Sequence, residues 1–217
     1  MLSQVTEWHS SKTQIEKSLS LRVVRHSIHE LKKDIIFNAN LRGHDFTFHS
    51  TWGLFSPTQI DEGTEMLINH VEVKPNDVII DIGCGYGVPG IPLAVLASQG
   101  KVHMVDKDFV AVEYAKKNIQ VNNVNNCDTY LSNGFSNVPS DIKFDIVVSN
   151  LPAKSGRELF DIILYDAEER LKAGGKLYVV TISGLKEFVK RNFKEVFGNY
   201  DKLKQGKTYT VAVATKE

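Results

Sequence analysis

The chain has 217 residues, 42% of them hydrophobic and 24% charged, with 26 Lys and Arg balancing 26 Asp and Glu. That is ordinary globular material, long enough for one α/β domain with a substantial core. No apolar run approaches the length of a bilayer helix and no charged segment followed by an apolar one opens the chain, so a soluble, cytoplasmic protein is expected. The two cysteines, Cys84 and Cys127, do not suggest a disulfide framework. Charge is unevenly placed: residues 172–217 hold ten Lys and Arg against four Asp and Glu. Such a segment either attracts an anionic partner such as RNA or forms a solvated helix face and a lysine-rich edge strand.

Residues 1–33 are polar with weak helical periodicity and read as a helical extension. Residues 35–48 read as two strands around a turn, Phe46 and Phe48 alternating with polar neighbours. Pro57 is expected to open a helix with Ile60, Thr64, Leu67, Ile68 and Val71 on one face. From about residue 77 strands and helices alternate, which predicts a parallel sheet. Strands are placed at 77–82, 101–106, 127–131, 143–149 and 176–182, and helices at 88–98, 108–120 and 156–172, the last ended by Gly174-Gly175. Val112, Ala115 and Ile119 make one buried stripe, and Phe160, Ile163, Ala167 and Leu171 another. A helix at 184–197 is predicted to bury Leu185, Phe188, Val189 and Val196. Two final runs, 199–204 and 208–215, are joined too closely to be anything but antiparallel. The expected fold is therefore a Rossmann-like, seven-stranded, mostly parallel sheet with a C-terminal antiparallel hairpin and helices on both faces. An N-terminal helical and hairpin extension (1–50) precedes the main domain (51–217).

Val78-Ile79-Ile80-Asp81-Ile82-Gly83-Cys84-Gly85-Tyr86-Gly87-Val88-Pro89-Gly90 is the most informative stretch. An apolar strand ends in an acid and breaks into alternating glycines before a helix. Glycine tolerates positive φ and has no Cβ to hold a ligand off the main chain. The glycines alone also fit Gly-x-Gly-x-x-Gly (Gly85, Gly87, Gly90), so the choice of nucleotide-like ligand needs further features. Asp81 stands two residues before the first glycine. The strand 101–106 ends in Asp106, about 20 residues past the loop, where an acid takes ribose hydroxyls or caps the next helix. The fourth strand ends in Ser149-Asn150-Leu151-Pro152.

Leu41-Arg42-Gly43 with Phe46 and Phe48, Gly53-Leu54-Phe55-Ser56, Asp61-Glu62-Gly63-Thr64, the Asp81–Gly87 loop, Asp106, Ser132-Asn133 and Ser149-Asn150-Leu151-Pro152 form one set. Over residues 34–217 this set resembles the class I S-adenosylmethionine-dependent methyltransferases. It is most similar to their small-domain group, which includes the ribosomal RNA guanine-N2 methyltransferases. The resemblance implies S-adenosyl-L-methionine as cofactor and RNA, of the ribosomal kind, as substrate. Gly83, Cys84, Gly85 and Gly87 would lie along the cofactor. Asp81 would receive its ammonium or brace the loop. Asp106 would take both ribose hydroxyls with Lys107 beside it, and Asn133 would read the adenine amine. Asp61 and Thr64 would lie on a cofactor-side helix or simply pack. Asn150 would be the catalytic residue and also touch the cofactor. Its side-chain oxygen and the Leu151 carbonyl would accept the two hydrogens of an exocyclic amine, aiming the nitrogen lone pair at the methyl carbon.

Relatives carry Asn-Pro-Pro followed by an aromatic or apolar residue. Here Leu151 replaces the first proline and Ala153 follows Pro152, so no ring at 153 stacks on a flipped base. Stacking would fall to Phe55, Trp52 or Phe135, and Lys154, Arg157, Lys202, Lys204 and Lys207 would hold phosphates. The alternatives are methylation of a protein amide or small molecule, and a module that binds cofactor or RNA without catalysis. His26, His29, His44 and His49 lack a completing cysteine or acid cluster, so no metal is expected. Oligomeric state is not legible.

Overall fold

A computed structural model describes residues 27–151 and 156–217. Residues 1–26, with most of the expected N-terminal helix, lie outside the described residues, as do Pro152, Ala153 and Lys154; residues 27–31 are helical. A hairpin of β1 (Ile35–Leu41) and β2 (His44–Ser50) comes first. It is followed by α1 (Glu62–His70), β3 (Val78–Ile82), α2 (Gly90–Leu96), β4 (Lys101–Asp106), α3 (Phe109–Val121), β5 (Cys127–Leu131), β6 (Phe144–Asn150), α4 (Arg157–Arg170), β7 (Leu171–Ile182), α5 (Lys186–Phe197), β8 (Asp201–Gln205) and β9 (Tyr209–Thr215).

The seven-stranded sheet runs in the order β5-β4-β3-β6-β7-β9-β8. Its first five strands are parallel, and β9 and β8 are antiparallel additions, so the expected mixed sheet with its terminal hairpin is what the chain forms. The strands at the centre are continuous apolar runs because both faces are covered. Successive residues fall into two cores. Ile79, Val148 and Tyr178 pack with Leu67, Ile91, Ala115 and the hairpin's Leu41, Phe46 and Phe48. Ile80, Val147 and Leu177 pack with Phe160, Ile163, Val189 and Phe193 on the other side. Phe48 is fully buried, and each such ring contributes about 1.5–3 kcal/mol by leaving water.

The hairpin thus closes the same core as the main domain. Asn118 of α3, itself buried, reinforces the join: its side chain receives the His49 N–H (2.7 Å) and donates to the carbonyls of His49 and Tyr86 (both 2.8 Å). Asp34 ahead of β1 accepts from Lys117 and Tyr114 of α3 and pairs with His49. Burial works against its charge, but those three partners outweigh it and lower its pKa to about 2.

Three expectations need correction. Helix α1 begins at Glu62, not near Pro57: Ser56 has φ +46°, and Asp61 is the N-cap, its carboxylate accepting the Thr64 N–H. Gly174-Gly175 does not end the preceding helix. That helix stops at Arg170, and the glycines form an irregularity inside β7, where pairing jumps from Leu171–Phe144 to Lys176–Ile146. Gly174 donates to Lys216 and Lys216 to Gly175, so the last residues of the chain stitch this irregularity. The buried stripe of α5 centres on Val189, Phe193 and Phe197, while Leu185 belongs to a preceding 3-10 turn. No helix among the described residues is long and apolar enough to cross a membrane.

Candidate active site

A cleft of about 460 Å³ opens at the carboxyl ends of β3, β4, β5 and β6. Strand order reverses between β4 and β6 on either side of β3, and ligands of open α/β sheets bind at such a switch point. The glycine loop after β3 forms one wall. Gly83 (φ +74°) and Gly85 (φ +55°) both need the left-handed region, and nothing among the described residues stands within 4 Å of where a Cβ would project. The loop is held from behind: the N–H groups of Gly83 and Cys84 both reach the Val105 carbonyl (2.9 and 3.0 Å), and Gly85 N–H reaches Asp106 Oδ2 (2.9 Å). Cys84 lines the cleft with a buried thiol whose pKa burial pushes well up. Gly87 does not line it. It is buried at φ +95° over Ile91, where it closes the loop onto α2.

Asp106 is more than a helix cap. The cap of α3 is Asp108, which accepts the Val110 N–H, while Asp106 Oδ1 accepts the Asp108 N–H at 2.9 Å. Each Asp106 oxygen therefore holds one backbone donor and keeps a further lone pair, and the residue lines the cleft. Lys107 and the exposed Asn133 line the cleft on either side of it.

Asp81 lies beneath the loop, fully buried and outside the cleft lining, and among the described residues no side chain completes a hydrogen bond to either oxygen. Burial pushes its pKa up to about 8, the Gly90 N–H pulls it partly back, and the Asp106 charge adds to the rise. It does not brace the loop through a set of backbone N–H bonds. In the unfolded chain this carboxyl titrates near 3.8, so from about pH 4 to about 8 the folded state holds a proton that the unfolded state has released. Its contribution to stability is complete below pH 4 and falls by about 1.4 kcal/mol per pH unit up to about 8. Asp81→Asn is expected to remove that decline. Urea melts of both ligand-free proteins at pH 5, 6, 7 and 8 check this, and parallel curves would refute it.

Asn150 ends β6 in the cleft wall. Its Nδ2 donates to Thr64 Oγ1 (2.8 Å) and Asp61 Oδ2 (3.2 Å). A carboxylate can only accept, so the NH₂ end of the amide must face α1. Oδ1 is left as the acceptor, and no donor among the described residues engages it. Asp61 Oδ1 accepts from Tyr209 Oη at 2.7 Å. Asp61 and Thr64 therefore serve Asn150, and Thr64 is buried packing as well. Leu151 lines the cleft and pins the strand end through its N–H to the Val180 carbonyl (3.0 Å).

Phe55, 64% exposed, lines the cleft and its ring is open to stacking; Trp52, 54% exposed, lies outside the cleft lining. Phe135 is not open to stacking: it is buried against Phe144 and Arg170. Arg157 lies outside the cleft lining, exposed in the first turn of α4 and 3.8 Å from Asp161. Pro152 and Lys154 fall outside the described residues. Lys202 and Lys204 stand on β8, an edge strand exposed at every position. Of two apolar wall residues of α4, Leu159 went unassigned in the sequence and Ile163 was read only as part of a buried stripe, because helical spacing marks a buried face without saying what covers it.

The residues present fit S-adenosylmethionine. The glycine cradle is open where a Cβ would fill it, Asp106 keeps acceptors for two hydroxyls, Asn133 offers an amide at the far end, and the volume suits a cofactor. Comparison with known proteins agrees. Residues 45–213 match the family described as methyltransferase small domain. The uncharacterised protein YbxB of Bacillus subtilis is 34% identical over 179 residues, 81% of this chain and 89% of that protein. The 16S rRNA N2 methyltransferase RsmC of T. thermophilus, solved with S-adenosylmethionine and guanosine, superposes with a TM-score of 0.77 at 26% identity. That match covers 84% of this chain but only 50% of RsmC, so the chain spans half of that enzyme's length. The ribosomal protein L11 methylase of Lactobacillus delbrueckii shares the fold at 19% identity and a TM-score of 0.61, covering 77% of this chain and 84% of that one. With residues 45–213 matching the family model and 81% of the chain aligned to a relative at 34% identity, the chain belongs to the methyltransferase small domain family and is an S-adenosylmethionine-dependent methyltransferase.

Proposed function

We propose that this enzyme methylates an exocyclic amine of a base in RNA, of the ribosomal guanine-N2 type. The observation that carries the reading is the Asn150 amide, held by Asp61 and Thr64 with its oxygen left to accept. An exocyclic amine is a poor nucleophile because its lone pair is delocalised into the ring. Asn150 Oδ1 and the Leu151 carbonyl accept its two hydrogens and draw the nitrogen toward tetrahedral geometry. S-adenosylmethionine, when bound, supplies a methyl group on a positively charged sulfur that leaves as a neutral thioether. The chain's own contribution is positioning and orientation, which are worth many orders of magnitude when two reactants are held in line. Gly83 and Gly85 let the backbone approach the cofactor, Asp106 takes its ribose with Lys107 alongside, and Asn133 reads the adenine. Asp81 lies beneath the loop and burial keeps it protonated in the ligand-free protein, so it would act on the cofactor's ammonium only where that positive charge draws off its proton, and through its field rather than by contact.

Phe55 supplies at the cleft the aromatic surface that Ala153 does not, and its exposed ring suits stacking on a flipped base. The guanosine bound to RsmC, a structural neighbour with the same fold, favours guanine over adenine. Lys154, Arg157 and the lysines of β8 and the turn after it would meet phosphates.

Labelled S-adenosylmethionine incubated with total RNA, and separately with RNase-treated extract, tests the assignment. Label in RNA supports it. Label in protein or small solutes assigns the same chemistry to an amide or small amine instead. Cofactor binding without transfer to any fraction marks a module without catalysis.

A further inference from the structure

Tyr209, the first residue of β9, is 148 positions from Asp61 yet donates its phenol hydrogen to Asp61 Oδ1 at 2.7 Å. Asp61 Oδ2 takes the Thr64 N–H (3.1 Å) and Asn150 Nδ2 (3.2 Å). Three donors thus converge on one carboxylate, and the hydrogen bond to it pushes the Tyr209 phenol up to about 12.

The fit of the ring is specific. A Cβ on Gly63 would lie 2.7 Å from Tyr209 Cδ1 and 2.9 Å from Asp61 Oδ2, so the first turn of α1 is hollowed at the point where the ring passes. The turn before β9 is seated on the same helix: Gly206 N–H donates to the Tyr209 carbonyl (2.8 Å), and a Cβ at Gly206 would stand 2.9 Å from Met66 Cε.

The two ends of an amide have nearly the same shape, so sterics alone do not decide which faces the cleft. With the NH₂ end outward, Asn150 would present a donor to an amine that itself needs acceptors. Asp61 prevents this only while its own carboxylate is fixed in rotation. Thr64 N–H and Asn150 hold one oxygen; Tyr209 holds the other.

We infer that Tyr209 is a positioning residue for methyl transfer: its hydroxyl locks Asp61, which holds the Asn150 amide with Oδ1 toward the acceptor amine. This rests on the reading of Asn150 as the group that accepts the amine hydrogens. Tyr209 touches neither cofactor nor substrate in this scheme.

The test uses the full chain labelled with ¹⁵N-asparagine, the Asn150 NH₂ signal being assigned by its loss in Asn150→Ala. Tyr209→Phe, which keeps the ring, should speed hydrogen exchange of that NH₂ group by about tenfold or more. It should lower kcat for methyl transfer to total RNA by about tenfold, the worth of one hydrogen bond to a charged group, with S-adenosylmethionine affinity unchanged by calorimetry. Gly63→Ala, which displaces the ring without removing the hydroxyl, should reproduce both effects. Tyr209→Phe with Asn150→Ala should be no slower than Asn150→Ala alone. Wild-type exchange at Asn150 in both Tyr209→Phe and Gly63→Ala overturns the proposal. So does faster exchange with undiminished kcat while Asn150→Ala is inactive. If instead Asn150→Ala itself transfers methyl groups normally, the functional reading falls, and the exchange data still report whether the lock exists.

Discussion

Asn150→Ala is expected to cut methyl transfer by about a thousandfold, the upper range for losing one preorganised polar group at a reacting centre. S-adenosylmethionine affinity should stay within a few-fold. The asymmetry follows from where the side chain is held: its NH₂ end is committed to Asp61 and Thr64, which leaves Oδ1 as the end to accept from the proposed amine. Truncation removes the acceptor and also leaves the Asp61 carboxylate short of one donor. Asn150→Asp is the sharper variant. It keeps the shape and even an acceptor, but sets a second carboxylate about where Asp61 now receives an N–H, so repulsion turns it out of place. Single-turnover transfer of labelled methyl groups, paired with calorimetry for the cofactor, separates the two effects. Undiminished transfer by Asn150→Ala would remove the assigned chemistry.

Asp106→Ala should weaken S-adenosylmethionine binding by about a hundredfold or more, from two lost hydrogen bonds to a charged acceptor at about 1.5 kcal/mol each. The carboxylate does two jobs. It fixes the glycine loop through Gly85 N–H and the start of α3 through Asp108 N–H, and its further lone pairs are those expected to meet the ribose. Asp106→Asn should weaken binding as well, because an amide must turn its NH₂ end toward one of two backbone N–H groups and so disturbs either the loop or the helix. Calorimetric titration with S-adenosylmethionine reads the loss, and unchanged affinity in Asp106→Ala would exclude a ribose contact.

The parallel sheet and its glycine loop were legible because their determinants are local. Buried strands show as unbroken apolar runs, and Gly83 and Gly85 stand where only positive φ lets the backbone turn. The antiparallel ending was legible from chain length alone, since too few residues separate the last two strands for a crossover. What stayed hidden depends on residues far apart in sequence. Pro57 suggested a helix start because proline presets φ. The actual start is governed by Asp61, whose carboxylate is claimed at once by its own helix, by Asn150 and by Tyr209. Gly174-Gly175 looked like a helix terminator, since nothing nearby in sequence announces that Lys216 will pair with both glycines. Within the site, Asp106 and Asn150 were readable as polar residues closing apolar strands, whereas nothing in the run 208–215 singles out Tyr209. Phe135, by contrast, carried no sign of its buried contact with Arg170, and so was counted among the rings open to a base.

Tyr86 links the glycine loop to the N-terminal hairpin and to the segment ahead of α1. Its ring meets Phe37 and Phe48 edge-on at 6.2 and 6.1 Å, and its hydroxyl grips the Ser56 carbonyl at 2.8 Å. The hairpin is thus a foundation stone for the ligand cradle as well as a cover for the core. A chain begun at residue 51 would strip that footing away, and the cradle would have to be ordered by the ligand itself, with affinity lost to the entropy of ordering. Wear on the enzyme's grip can therefore begin at a two-stranded ribbon remote from the reacting atoms.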